Sequence, residues 1–162
     1  MIKITDYIDD ICDLLKISKP IISYDTSTFE SYTMLAQCDP ENSTIYMRKP
    51  LAVTPAPAQP DYLFAIAHEL RHVWQIRYHN DYFFEKYKPR KDMPSVTDYN
   101  LQIAEVDANA FGAFILTTRF GLQPMWYGME QPVVDAINLR ACEIIEDFDL
   151  PRMKYANYPK VH

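Results

Sequence analysis

Glycine is scarce in this chain, with 3 in 162 residues. That leaves no glycine-rich phosphate loop of the Walker or dinucleotide type. Cysteine is equally rare. Cys12, Cys38 and Cys142 are odd in number, widely spaced and form no CxxC, which argues against a disulfide framework or a cysteine-zinc cluster and for buried thiols in a reducing cytoplasm. The net charge is −6, and no basic stretch is fit to neutralise several phosphates, so nucleic acid is not an expected partner. No apolar run approaches the length needed to span a membrane. The first residues, Met-Ile-Lys-Ile-Thr-Asp-Tyr-Ile-Asp-Asp, place acids where an export signal needs a basic region and an apolar core, and a cytoplasmic protein is expected.

What is present is an ordinary globular composition, 48% hydrophobic and 23% charged, long enough for one domain over residues 1–162 with a substantial core. Ile8, Ile11, Leu14 and Leu15, with Asp9, Asp10 and Asp13 between them, predict an amphipathic helix over 5–16, ended by Pro20. Residues 21–24 read as a first strand. Residues 32–38 and 44–48 read as a hairpin around the turn Asp39-Pro40-Glu41-Asn42. Pro50, Pro55, Pro57 and Pro60 read as a surface connector without ladder hydrogen bonds rather than a docking segment.

Asp61 then looks like the N-cap of a helix running to Tyr78. At about 100° per residue, Leu63, Ile66, Ala67, Leu70, Val73 and Trp74 fall on one stripe, with His68 and His72 on the opposite side. Residues 80–96, polar, aromatic and carrying Lys86, Lys88, Arg90 and Lys91, predict a long loop. A second strong helix is expected over 98–118, capped by Ser95, Thr97 or Asp98, with a stripe of Leu101, Ala104, Ala108, Phe111 and Ile115. A third is expected from Pro132 to Asp147, followed by a tail without periodicity.

The chemistry concentrates in His68-Glu69-Leu70-Arg71-His72. Two histidines four apart on a helix point the same way and can share one ion, and a glutamate between them can act on water held there. A catalytic zinc usually takes three protein ligands. His79 shares a face with His72, but seven residues of helix rise about 10.5 Å, too far for one ion. His162 is terminal. Glu105 is the stronger candidate, since Asn109, four residues on, shares its face and can hydrogen-bond a ligand histidine to fix its tautomer. Asp107 is the alternative; it lies about 200° around the helix from Glu105, so only one of the two can face the ion. Arg71 inside the motif is expected to pair with an acidic neighbour.

HELRH followed by Glu105-Val106-Asp107-Ala108-Asn109-Ala110-Phe111 resembles the zincin metallopeptidases of the ImmA/IrrE type over residues 44–116. The resemblance implies an α+β zincin-like fold: a small N-terminal antiparallel sheet or hairpin, an active-site helix and a mainly helical C-terminal half. It implies Zn2+ on His68, His72 and Glu105, Glu69 as catalytic base, and Asn109 hydrogen-bonded to a ligand histidine. It also implies a protein or peptide substrate, such as a transcriptional repressor. The chain departs from the family at Gly112, where the motif ends in alanine, and at Phe114-Ile115-Leu116-Thr117-Thr118, where a leucine-rich stretch ending in proline is common.

The expected reaction is metal-assisted peptide hydrolysis, with Glu69 moving the proton and the 44–48 strand forming the edge of the cleft. Tyr78, Tyr82, Tyr99 and Tyr127 are candidate oxyanion donors. The rival readings are a metallopeptidase fold serving as a binding or regulatory module with little turnover, and a metal hydrolase of small amides.

Overall fold

The structure, a computed structural model, describes residues 3–49 and 60–148. The proline connector before Pro60, the C-terminal tail and His162 lie outside them. Among the described residues the fold is α+β, with five α-helices and one three-stranded sheet. No helix among them is long and apolar enough to cross a membrane.

Helix α1 (Ile4–Leu15) buries Tyr7, Ile8, Ile11, Cys12 and Leu15. It stops before Pro20, because Lys16 turns left-handed (φ 54°) and the amides of Lys16 and Ile17 close onto the carbonyls of Asp13 and Cys12. Strands β1 (Ile21–Ser23), β2 (Ala36–Asp39) and β3 (Thr44–Met47) follow. The hairpin forms as expected between β2 and β3, with Cys38 opposite Ile45. Its turn is held by Asp39 Oδ1, which accepts from the amides of Glu41 and Asn42. Its first strand starts later than expected: Tyr32 is 89% exposed, and a turn built on Ser31 occupies that segment.

Two expectations about the sheet need correction. It is mixed rather than antiparallel, because β1 adds parallel to β3, Ile22 opposite Ile45. The order β1-β3-β2 then places residues 44–47 in the centre and makes β2 the edge. Hydrophobicity explains the swap: Ile45 and Met47 are fully buried, as a central strand demands, whereas β2 buries only Ala36. Leu35 accepts the Arg48 amide in the hairpin ladder, so the alternation of an antiparallel pair turns the backbone groups of Ala36 and Cys38 outward.

Helix α2 (Pro60–Phe84) starts with Pro60 and Asp61 in its first turn. It passes the expected end at Tyr78 through a kink at His79 (φ −143°, ψ 33°). The His79 ring packs tilted against Trp74 with centroids 4.6 Å apart, and buried Phe83 packs on the same indole. These contacts draw the chain back into helix where a loop was expected. Later in that segment comes a 3-10 turn (Arg90–Asp92), and helix α3 (Val96–Asn100) begins at its end, with Ser95 Oγ capping the Asp98 amide.

The expected helix over 98–118 is therefore two helices. Gln102 is extended between them, and its side chain bridges the backbone N–H and carbonyl of Lys88. Leu101, at 40% exposure, leaves the stripe. Helix α4 (Ile103–Ile115) is buried on nearly every side, ends in a π turn (Leu116–Phe120) and closes at Gly121 (φ 67°). Its run of Ala104, Ala108, Ala110, Gly112 and Ala113 lets α2 and α5 (Gln131–Asp147) approach closely from different sides. The core runs from Tyr7 and Met47 through Leu63, Ile66 and Leu70 to Phe111 and Ile137, each such side chain stabilising by about 1.5–3 kcal/mol on burial.

Candidate metal centre

The α2–α4 contact builds the site. One turn of α2 carries His68 and His72, and the first turn of α4 brings Glu105 against them. His68 Nε2 lies 3.0 Å from His72 Nε2 and 3.5 Å from Glu105 Oε2, and His72 Nε2 lies 3.6 Å from Glu105 Oε1. These three residues could hold a metal ion. The histidine face of α2 lies opposite its apolar stripe, as the wheel requires, yet it is not a solvent face. His72 is 8% exposed and Glu105 3%, because α4 covers it.

Each imidazole is held through its other nitrogen. His68 Nδ1 lies 3.0 Å from Asn109 Oδ1, the contact expected of Asn109. His72 Nδ1 lies 2.8 Å from Gln75 Oε1. Both rings therefore turn Nε2 towards Glu105. Gln75 was invisible as a site residue. The only sequence signal was its place three positions after His72, on the same face of the helix.

Glu105 Oε1 accepts hydrogen bonds from Tyr99 (2.6 Å) and Tyr87 (3.0 Å), whose hydroxyls lie 3.0 Å apart. Burial disfavours charge on Glu105, but the adjacent His72 and His68 and the hydrogen bond from Tyr99 outweigh it and lower its pKa to about 2. Burial also works against a charged His68, yet Glu105 and Glu69 raise its pKa above the ordinary value. A buried carboxylate between two imidazoles thus demands a positive charge, which protons or a metal ion can supply. Burial and the Glu105 charge push both phenols up, so Tyr87 and Tyr99 remain protonated donors.

Glu69 faces the same cleft, a space of about 260 Å³ bordered by Gln37, Cys38, Phe84, Tyr87 and Tyr99. Its Oε2 accepts the Cys38 backbone N–H at 2.7 Å, so the edge of β2 and the glutamate are joined. Of the four tyrosines picked out from the sequence, Tyr99 alone borders this cleft. Tyr78 is bonded to the Lys16 carbonyl, while Tyr82 and Tyr127 are 67% and 81% exposed. Tyr87, inside the segment read as a loop, carried no sequence signal.

The alternative ligands fall away on geometry. Asp107 is 1% exposed and lies outside the cluster. Arg71 grips it through Nε (2.7 Å) and Nη2 (3.1 Å), with Gln75 Nε2 at 2.7 Å and Arg140 Nε at 2.8 Å. Arg71 thus has the acidic partner expected of it, and its guanidinium lies 3.7 Å from the Trp74 ring centroid. His79 is turned away onto Trp74. Gly112 also has a local reason: a Cβ there would lie 2.8 Å from the ring of Phe64, which packs between His68 and Trp126. No protein-family model matches the chain, and no curated protein or solved structure matches it either.

Proposed function

We propose that this protein is a zinc-dependent peptidase of the zincin type, with His68, His72 and Glu105 as ligands and Glu69 as general base. The observation that carries the reading is the convergence of those three ligand atoms beside Glu69 in one cleft. The spacing suits a small divalent ion such as zinc. The two Nε2 atoms are 3.0 Å apart, and each has a Glu105 oxygen nearby, Oε2 at 3.5 Å from His68 and Oε1 at 3.6 Å from His72, close to the roughly 3.3 Å between neighbouring donors of a tetrahedral zinc. Two imidazoles and one carboxylate are also a donor set used by catalytic rather than structural zinc.

A zinc ion bound there would supply a Lewis acid that polarises a carbonyl and acidifies water. The remaining work belongs to the chain. The Cys38 amide anchors Glu69 through Oε2, leaving Oε1 to take a proton from water and pass it to the leaving amine. The outward backbone groups of Ala36 on β2 offer an edge to which an extended peptide can add. Tyr87 and Tyr99 each give their one O–H to Glu105 Oε1, so their part is to hold that carboxylate in place. By its resemblance to the ImmA/IrrE type, the substrate class is a regulatory protein such as a transcriptional repressor.

The test is metal analysis combined with peptidase assay. The purified chain should bind one zinc. Glu69→Gln should keep that zinc and lose hydrolysis by at least about 100-fold. Absence of zinc, or unchanged zinc content in His72→Ala, defeats the reading.

A further inference from the structure

We infer that Gln75 is a positioning residue that locks His72 in its Nε2-ligating tautomer and, through Asp107 and Arg140, ties metal affinity to the seating of helix α5. The inference rests on the reading of His68, His72 and Glu105 as ligands. Gln75 is fully buried, and its amide has only one workable orientation. Its Nε2 faces two acceptors, the Ala104 carbonyl at 3.0 Å and Asp107 Oδ2 at 2.7 Å. Turning the amide over would set its oxygen against both, leaving two buried acceptors repelled and unsatisfied.

Oε1 must therefore face His72, and at 2.8 Å only a protonated Nδ1 satisfies it. With the proton held there, the Nε2 lone pair points to His68 and Glu105. The tautomer of His72 is dictated from three residues away, by groups that never approach the metal position.

The anchor of that amide is itself clamped from two other elements. Arg71 on α2 and Arg140 on α5 both hold Asp107. Arg140 is 28% exposed and also pairs with Glu143 at 2.7 Å. A continuous path thus runs from the surface of α5 through Arg140, Asp107 and Gln75 to His72. Its links are charged or fully buried hydrogen bonds, where loss of a partner is costly. Loosening Arg140 frees one side of Asp107 and lets the Gln75 amide relax.

The experiment measures zinc affinity by chelator competition on the full chain, alongside the metal-free melting temperature. Gln75→Met keeps the side-chain volume and removes both hydrogen-bonding ends; its zinc affinity should fall by about 10–100-fold. Arg140→Met should weaken zinc by about three-fold, a smaller effect because Arg71 still holds Asp107. In the zinc-loaded wild type, nitrogen NMR should find a proton on His72 Nδ1 and the metal on Nε2. That measurement decides the matter even where Gln75→Met does not fold. Ligation through Nδ1, or a folded Gln75→Met with wild-type affinity, overturns the tautomer lock. Wild-type affinity in Arg140→Met overturns the link to α5. A wild-type chain that takes up no zinc would instead defeat the ligand assignment, and this inference with it.

Discussion

Glu105 and Asp107 stand two residues apart on one helix, and both are almost completely buried, at 3% and 1% exposure. Their surroundings differ sharply. Asp107 meets two guanidiniums, so its charge is more than matched and nothing further is needed. Glu105 meets two phenols, which donate without carrying charge, and two imidazoles, which are neutral unless protonated. The Asp107 carboxylate is already matched by arginines, whereas Glu105, beside two imidazoles, could still offer its charge to a metal ion. The partners, rather than the residue type or its burial, assign the role.

That contrast can be broken from either side. The largest effect is expected from Asp107→Ala, which strands buried Arg71 and half-buried Arg140. The metal-free protein should lose about 3–5 kcal/mol in a urea titration, and a loss below 1 kcal/mol would show that the clamp is not structural. Glu105→Gln is the mirror experiment. It keeps the shape and an acceptor for the tyrosines, so the metal-free protein should stay folded. Zinc affinity should fall by more than the roughly 100-fold typical of residues behind the ligands, and equal affinity would remove Glu105 from the site.

The smallest effect sharpens the comparison by pH. Burial raises the pKa of Asp107, but Arg71, Gln75 and Arg140 outweigh it and hold it below the ordinary 3.8. Because the folded value is the lower one, this carboxylate stabilises the fold above the ordinary value. The contribution is lost as pH falls through the folded one. The metal-free urea midpoint should therefore drop on acidification below 3.8, and Asp107→Asn should flatten that limb. An acid limb unchanged in the variant would assign it to other groups.

The local signals were strong where the physics is local. Helical spacing located α1, the stripe of α2 and the start of α5, and the Asp39 turn located the hairpin. His68, Glu69 and His72 were legible because one turn of helix brings them together without help from elsewhere. Glu105 with Asn109 was legible as a pair for the same reason and was preferred to Asp107, although what occupies Asp107 instead was not legible. The partners of Asp107 include Arg140, far along the chain on α5, and depend on which side of α4 meets α2. Tyr87 and the Cys38 amide were missed because a hydroxyl or a backbone N–H acquires a role only when folding carries it to a carboxylate. The parallel addition of β1, the kink at His79 and the break at Gln102 were missed for a related reason. Each is stabilised by a partner distant in sequence or by a ring contact that periodicity does not encode.

By itself, then, the order of residues determined the helical segments, the hairpin and a pair of histidines facing one way with a glutamate between them. These follow from repeats of about 3.6 and 2 residues and from turn chemistry, all of which act over a few positions. The tertiary structure alone decided that β2 rather than β3 is the edge beside Glu69. It also decided that Asp107 is taken up by Arg71 and Arg140, away from the histidines, and that Gln75 meets His72. Those outcomes turn on which buried polar groups meet which partners, and a buried charge or amide takes its meaning from neighbours that only the folded chain supplies.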